Sequence, residues 1–131
     1  MSNTYKAKVV YTSKELEPIT LVKLTDMTDC NSLDDLVKDC NSEALRVEVD
    51  YYAHISVHNE KSKGATDYTK IIIVDTDGVK YSTGSESFSN AIDTITENLA
   101  DIDYGDKPFT IKVYKKPSKN YNGDFISCSL L

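Results

Sequence analysis

The sequence predicts an all-β domain with added helices, in which the strands form a small five-stranded barrel. The first observation is that residues 46–58 alternate apolar and polar side chains without interruption, as a strand with one buried face does. A flat strand of this length would span on the order of 40 Å, so it must coil around a core through a bulge or a sharp bend. The second observation is that the patterns after it predict two more strands, a helix and two last strands.

The residues before this long strand predict an N-terminal extension. Residues 5–11 alternate and are predicted to form a strand, and residues 19–25, after Pro18, a second strand joined to the first as a hairpin. Ser32 supplies a helix N-cap, and Leu33, Leu36 and Val37 follow at helical spacing, which predicts a short helix. We therefore divide a single domain, 1–131, into an extension at 1–44 and a barrel core at 45–131.

The barrel core continues with a return strand at 68–74, whose Ile-Ile-Ile-Val run indicates burial on both sides. The sequence Asp75-Thr-Asp-Gly78 predicts a tight turn, and residues 79–82 a short strand. A helix is predicted from Ser85-Glu86 onwards, because an apolar stripe follows at helical spacing. That stripe consists of Phe88, Ala91, Ile92, Ile95, Leu99 and Ile102. Residues 109–116 and 124–131 are predicted to be the last two strands, separated by a loop at 117–123.

Charge is unevenly distributed along the chain, although its net value is −6. Residues 15–50 carry ten acids against three bases, and residues 85–104 carry five acids and no base. Both ends are basic, with three Lys in residues 1–14 and five Lys against two Asp in residues 105–131. We therefore expect separate acidic and basic faces, so that net charge alone does not exclude a nucleic-acid partner.

No stretch approaches the roughly 20 apolar residues of a membrane helix, and residues 1–14 do not resemble a signal peptide. A cytoplasmic protein without membrane contact is the expectation. Cys30, Cys40 and Cys128 are odd in number and form no CxxC motif, so we expect reduced thiols.

Basic and aromatic side chains alternate on the polar face of the strand at 109–116 and continue into the next loop. Lysines that follow a phosphate backbone, together with aromatic rings on which bases stack, are the usual means of binding single-stranded nucleic acid. The loop after residue 58, the return strand and the polar face of the long strand add further residues of both kinds. The candidate DNA-binding set is Tyr52, Lys61, Lys63, Tyr68, Lys70, Lys112, Tyr114, Lys116, Lys119 and Tyr121. A lysine face that merely keeps an edge strand soluble is the alternative.

Catalytic and metal-binding patterns are not found in the sequence. His54 and His58 share a strand face but would lie roughly 13 Å apart, too far to share a metal. The sequence Asp75-Thr-Asp-Gly lacks the glycine position of a calcium loop, and no glycine-rich phosphate loop or nucleophile elbow occurs. We therefore predict no enzyme activity, no metal and no cofactor.

The predicted order from residue 46, three strands, a helix and two strands, is that of the OB-fold. In particular, residues 45–131 resemble the small single-stranded-DNA-binding proteins of protein-primed phages of Gram-positive bacteria and related OB-fold proteins of conjugative plasmids. The resemblance rests on the alternating strand, the sequence DTDGVKYS, the amphipathic helix and the ending PFTIKVYKKPSKNYNGDFISCSLL. It implies sequence-independent coating of single-stranded DNA during replication or transfer.

The expected partner is thus single-stranded DNA, with RNA as an alternative, and a homo-oligomer is expected through the N-terminal segment. The acidic stretch at 15–50 supports a different hypothesis, an inhibitor or adaptor that mimics nucleic acid or docks on a basic protein.

Overall fold

The computed structural model describes residues 5–26, 28–39, 45–60, 66–105, 107–117 and 124–131. These residues form a mostly β structure in which one curled sheet carries helices on its two faces. The strands are β1 (Tyr5–Thr12), β2 (Asn31–Ser32), β3 (Leu45–Asn59), β4 (Asp67–Asp75), β5 (Lys80–Thr83), β6 (Phe109–Pro117) and β7 (Asp124–Leu130). The helices are α1 (Pro18–Leu24), α2 (Leu33–Asp39) and α3 (Glu86–Asp101).

Strand β3 is the centre of the sheet, whose order is β2-β5-β4-β3-β6-β7. One edge of β3 pairs with β4 over most of its length. The other edge is shared: its first residues, 45–49, pair with β6, and residues 53–59 pair with β1. The predicted long strand, the meander after it and the final hairpin are therefore confirmed. The short parallel pairing of β2 with β5 was not predicted.

A bulge at Asp50 divides β3 into two parts. Val49 pairs with Asp75 and Tyr51 with Val74, so Asp50 is an extra residue in the ladder. Side chains after a bulge point to the opposite face from the one that strict alternation gives. The bulge was expected, but the single apolar face predicted for residues 46–58 is wrong. Val47 and Val49 lie on one face of the sheet, whereas Ala53, Ile55 and Val57 lie on the other.

Two separate apolar clusters follow from this switch. We call the larger one the α3-side core. Its members are Leu33, Val37, Val47, Val49, Tyr52, Ile71, Ile73, Phe88, Ile92, Phe109, Ile111, Val113, Ile126 and Cys128. The smaller one, on the opposite face, is the N-terminal-side core. Its members are Leu24, Ala53, Ile55, Val57, Ile72 and Val74. The prediction that residues 71–74 are buried on both sides is confirmed, since they alternate between the two clusters.

Helix α3 closes the larger cluster, as the apolar stripe predicts. Ser85 is its N-cap, and the Ser85 hydroxyl accepts a hydrogen bond from the Phe88 amide at 3.2 Å. Phe88 and Ile92 are fully buried, while Ile102, the last residue of the predicted stripe, lies beyond the helix and is 71% exposed. The predicted short helix after Ser32 is confirmed as α2, with Leu33 and Val37 buried.

The N-terminal segment covers the other face of β3 and β4. The strand predicted at 19–25 is wrong: residues 18–24 form α1, which begins with Pro18 in its first turn and buries Leu24. Proline fits the first helical turn, and the β-branched residues of α1 do not enforce a strand because β-propensity depends on context. Ile19 and Val22 lie on the exposed side of α1, each 69% exposed. The homo-oligomer expected through this segment stays a prediction.

Candidate nucleic-acid interface

A strip of basic and aromatic side chains lies on the outer face of β3, β6 and β7. Lys112 is exposed on β6, and Tyr114, two residues further, is half-buried on the same face. The hydroxyl groups of Tyr114 and Ser129 lie 3.0 Å apart and share a hydrogen bond. The Lys112 ammonium lies 6.0 Å from the centre of the Tyr114 ring. This arrangement holds the ring against the sheet while leaving part of it accessible.

Arg46 belongs to the same strip, although the sequence did not single it out. In the register of β3 and β6 it stands directly opposite Lys112, and both side chains are exposed. Like charges directly opposite each other destabilise a sheet. We call Arg46, Lys112 and Tyr114 the β6 strip; neither of its two cations forms an ion pair with a described carboxylate.

Tyr68 and Lys70 lie at the opposite end of the sheet. Tyr68 is half-buried against the N-terminal-side core, and Lys70 is half-buried beside Ile55. Both line a cavity of about 390 Å³ between the start of β4 and the start of α3. The remaining wall of this cavity includes Ser85, Glu86 and Ser89.

The described candidate residues do not form one continuous groove. Lys112 pairs with Arg46 and Lys70 with Ile55, so the two lysines are separated by nine residues along β3, about 30 Å of strand. Between them, the outer face of β3 and β4 is occupied by the N-terminal-side core, on which Leu24 of α1 packs. This part of the outer face is therefore covered by the protein itself.

Tyr52 does not lie on a solvent-exposed face, and the prediction that placed it there is wrong. It follows the Asp50 bulge, which turns its side chain into the α3-side core, where it is 0% exposed. Its hydroxyl donates to Asp93 Oδ1 at 2.7 Å and lies 3.0 Å from Thr96 Oγ1. Burial and the nearby Asp93 carboxylate raise the pKa of Tyr52 far above its ordinary value.

Five candidate DNA-binding residues lie wholly or partly outside the residues that the structure describes. Lys61, Lys63, Lys119 and Tyr121 lie outside the described residues, as does the side chain of Lys116. Their assignment to a DNA-binding surface stays a prediction.

A polar network that the sequence analysis missed connects α3 to the sheet. His54 Nε2 lies 2.9 Å from Asp93 Oδ1, and His54 Nδ1 lies 3.4 Å from the Ser89 hydroxyl. The tautomer with a proton on Nε2 satisfies both contacts. The signal in the sequence was the helical spacing of Ser89, Asp93 and Thr96 along one flank of the apolar stripe. These contacts fix the helix, and they also hold the rings of Tyr52 and His54.

The two described cysteines, Cys30 and Cys128, are free thiols. Burial raises the pKa of the Cys128 thiol to about 12 and also raises that of Cys30, which disfavours the reactive thiolate.

Among residues that the structure describes, no group of three or more His, Cys, Asp or Glu side chains is placed to hold a metal ion. Within the same residues, no helix is long and apolar enough to cross a membrane.

Comparison of the chain with protein-family models, with curated proteins and with solved structures finds no match.

Proposed function

We propose that this protein binds single-stranded nucleic acid without sequence preference, foremost single-stranded DNA, and coats it during replication or transfer of a phage or plasmid. In this proposal the protein is a binding protein and not an enzyme. The observation that carries it is the β6 strip, in which Arg46 and Lys112 stand opposite each other without a described carboxylate partner beside Tyr114.

The connectivity of the sheet supports an OB-type barrel as part of this proposal. Strands β3, β4 and β5 form an antiparallel meander, α3 follows, and the β6–β7 hairpin returns to β3. The five-stranded OB barrel has this order and binds oligonucleotides on its outer surface. In the described residues β5 and β7 form no ladder, but the Ser85 hydroxyl donates to the Ile126 carbonyl at 3.0 Å and connects the start of α3 to β7.

In this proposal, the two cations and the tyrosine contact different parts of a nucleotide. Arg46 and Lys112 would neutralise phosphates and release their counterions, which makes affinity dependent on salt. Tyr114 would stack on a base, a contact that every base can make and that therefore carries no sequence preference. The acids concentrated at residues 15–50 and 85–104 would repel a rigid duplex, whereas a flexible single strand follows the basic strip.

The first test is a titration of labelled oligo-dT by fluorescence anisotropy at several salt concentrations. Two phosphate contacts from Arg46 and Lys112, rising to four with those predicted for Lys116 and Lys119, predict that log affinity falls against log salt with a slope of roughly −1.4 to −2.8. A flat salt response, or duplex bound as tightly as single strands, would contradict the proposal.

The second test compares two substitutions that change net charge equally. Lys112→Ala should flatten the salt slope by about 0.7, the value for one lost phosphate contact. Lys23→Ala removes an exposed lysine from α1, on the segment that covers the other part of the sheet, and should leave the slope unchanged. Equal effects of both would show that only the overall field of the protein matters.

Tyr114 gives a third, charge-independent test. Tyr114→Ala should weaken oligo-dT binding by about 1–3 kcal/mol, whereas Tyr114→Phe keeps the ring and should bind nearly as well. If single strands do not bind at low salt while the protein is retained on a basic column, the acidic adaptor hypothesis is favoured instead.

A further inference from the structure

A second cavity, of about 500 Å³, lies between the end of β1, the bulge of β3 and the last turns of α3. The connection from α3 to β6 forms its remaining wall. Its size is within the range of small-molecule sites. We call it the α3–β1 cavity. None of the candidate DNA-binding residues from the sequence lines it.

The wall formed by Tyr11 is an exposed aromatic ring held in a fixed orientation. Tyr11 is 41% exposed, and its ring stacks on that of His54 with 5.6 Å between centroids and 20° between planes. The ring of Tyr52 meets it edge-on at 5.8 Å. Asp93 fixes both supporting rings through the hydrogen bonds described above. A ring held in this way can stack on a flat ligand with little loss of conformational entropy.

The bulge in β1 explains how Tyr11 reaches this wall. Val9 pairs with Ile55 and Tyr11 with His54, so Val10 is an extra residue in the ladder. This second bulge reverses the direction of the side chains, as the Asp50 bulge does in β3. Val9 therefore packs on the N-terminal-side core, whereas Tyr11 reaches the face on which α3 lies.

The polar groups of the cavity favour a ligand that donates hydrogen bonds from its edge. Asp50, Glu97 and Asp103 present carboxylates, of which Asp50 is paired with Lys14 at 3.2 Å. A carboxylate accepts hydrogen bonds from an exocyclic amino group, such as the N4 group of cytosine. It repels a phosphate, and it also repels the O2 and O4 carbonyls of thymine, which flank the single N3–H donor on that edge of the base.

Apolar groups and two lysines complete the cavity. Leu99, Ala100 and Phe109 supply apolar surface for a flat ring. Lys14 and Lys107 also line it, and the Lys107 ammonium lies 4.5 Å from the centre of the Tyr104 ring. Lys14 is paired with Asp50, so Lys107, which forms no ion pair between described residues, is the cation available to a phosphate attached to the base.

We propose that the α3–β1 cavity binds one nucleobase that carries an exocyclic amino group, stacked on Tyr11 and donating to Asp50 or Glu97. This inference rests on the proposed function and adds to it: a single-stranded ligand would be coated without sequence preference along the β6 strip, and one of its bases would be selected here. Adenine, cytosine and guanine have the required group, and thymine lacks it.

The test uses two mononucleotides of the same size and charge, 2′-deoxycytidine 5′-monophosphate and thymidine 5′-monophosphate. Titrated into the full chain and followed by ¹H–¹⁵N NMR, the cytosine nucleotide should shift the amides of Tyr11, Glu97 and Gly105. It should bind at least about five-fold more tightly than the thymine nucleotide, the equivalent of one good contact. Absence of shifts at millimolar concentration, or equal binding of both nucleotides, would overturn the inference.

Variants identify the contacts. Tyr11→Ala should weaken binding of the cytosine nucleotide about five-fold or more, and Tyr11→Phe should retain it. Glu97→Gln, at an exposed position of α3 where the fold is insensitive to change, should reduce the preference for cytosine over thymine. If neither Tyr11→Ala nor Glu97→Gln has an effect, the cavity is not the site.

Tyr114→Ala separates this inference from the proposed function. It should leave the mononucleotide-induced shifts of the Tyr11, Glu97 and Gly105 amides unchanged while weakening oligo-dT binding. A protein that binds oligo-dT but no mononucleotide would refute the cavity alone, and one that binds the mononucleotide but no oligo-dT would refute the β6 strip alone.

Discussion

On one face of the sheet, fourteen buried residues of the described chain form the α3-side core; on the other, six form the N-terminal-side core. The larger cluster draws on α2, α3 and four strands, so it joins segments from most of the sequence. The smaller one depends on β3 and β4 and on the cover given by a seven-residue helix, α1. The free energy gained by burying apolar surface is proportional to the area buried, so the two faces should contribute unequally to stability.

The largest expected effect comes from two neighbouring isoleucines of β4, which test this inequality directly. Ile73 and Ile72 are both 0% exposed, but Ile73 belongs to the α3-side core and Ile72 to the N-terminal-side core. Ile73→Ala should lower the free energy of unfolding by about 3–5 kcal/mol, and Ile72→Ala by about 2–3 kcal/mol, because the thinner cover can relax into the space. Urea denaturation followed by circular dichroism measures both. A loss for Ile72→Ala as large as that for Ile73→Ala would remove the distinction between the two faces.

The second effect concerns the cover itself. Leu24 is 1% exposed, whereas Val22 on the same helix is 69% exposed. Leu24→Ala should cost about 2–3 kcal/mol, and the control Val22→Ala at most about 0.5 kcal/mol. The same denaturation experiment applies. If Leu24→Ala has no more effect than its control, α1 does not contribute to the fold and the N-terminal-side core is only a surface contact.

A smaller effect is expected where α3 is attached to the sheet. Tyr52→Phe keeps the buried ring but removes the hydroxyl that donates to Asp93 and should cost about 1 kcal/mol, since Asp93 is partly exposed and regains water. The control is Tyr104→Phe. The Tyr104 hydroxyl donates to the Pro108 carbonyl near the surface, so its removal should lower the free energy of unfolding by less. Hydrogen exchange of α3 amides should rise only in Tyr52→Phe. Unchanged exchange would mean that apolar packing alone holds the helix.

The smallest effect lies at the end of β3 beyond both clusters, where His58 contacts Asp67 at 2.7 Å and Glu60 at 3.5 Å. Hydrogen bonds to Asp67 and then Glu60 raise the pKa of His58 above its ordinary value of 6.5. Because its folded-state pKa is raised, the protonated His58 imidazole contributes to the free energy of unfolding. This contribution is fully present below pH 6.5 and is lost as pH rises through the folded-state pKa. NMR titration of the imidazole should give a midpoint above 6.5, which Asp67→Asn lowers. A midpoint at or below 6.5 in the parent protein would contradict the contact.

Features that depend on a local pattern of residues could be predicted from the sequence. The turn after β4 forms because the Asp75 carboxylate accepts hydrogen bonds from the amides of Asp77 and Val79, and Gly78 adopts a positive φ of 84°. In the same way, the apolar residues at helical spacing predicted α3, and the four consecutive apolar residues at 71–74 predicted a strand buried on both sides. In each case the residues that cause the structure are neighbours in the chain.

The direction of the β3 side chains after Asp50 depends on contacts between distant segments and could not be predicted from the sequence. The polar–apolar alternation runs through the bulge unchanged, so a period of two contains no sign that the faces exchange. Tyr51 and Tyr52 are adjacent tyrosines, and either could be the buried one. Tyr52 is buried because Asp93 and Thr96 of α3 supply partners for its hydroxyl, and a buried hydroxyl without a partner is costly. Those partners lie some forty residues away, beyond the reach of any local pattern, as does the pairing of β1 with β3 that brings Tyr11 to the same place.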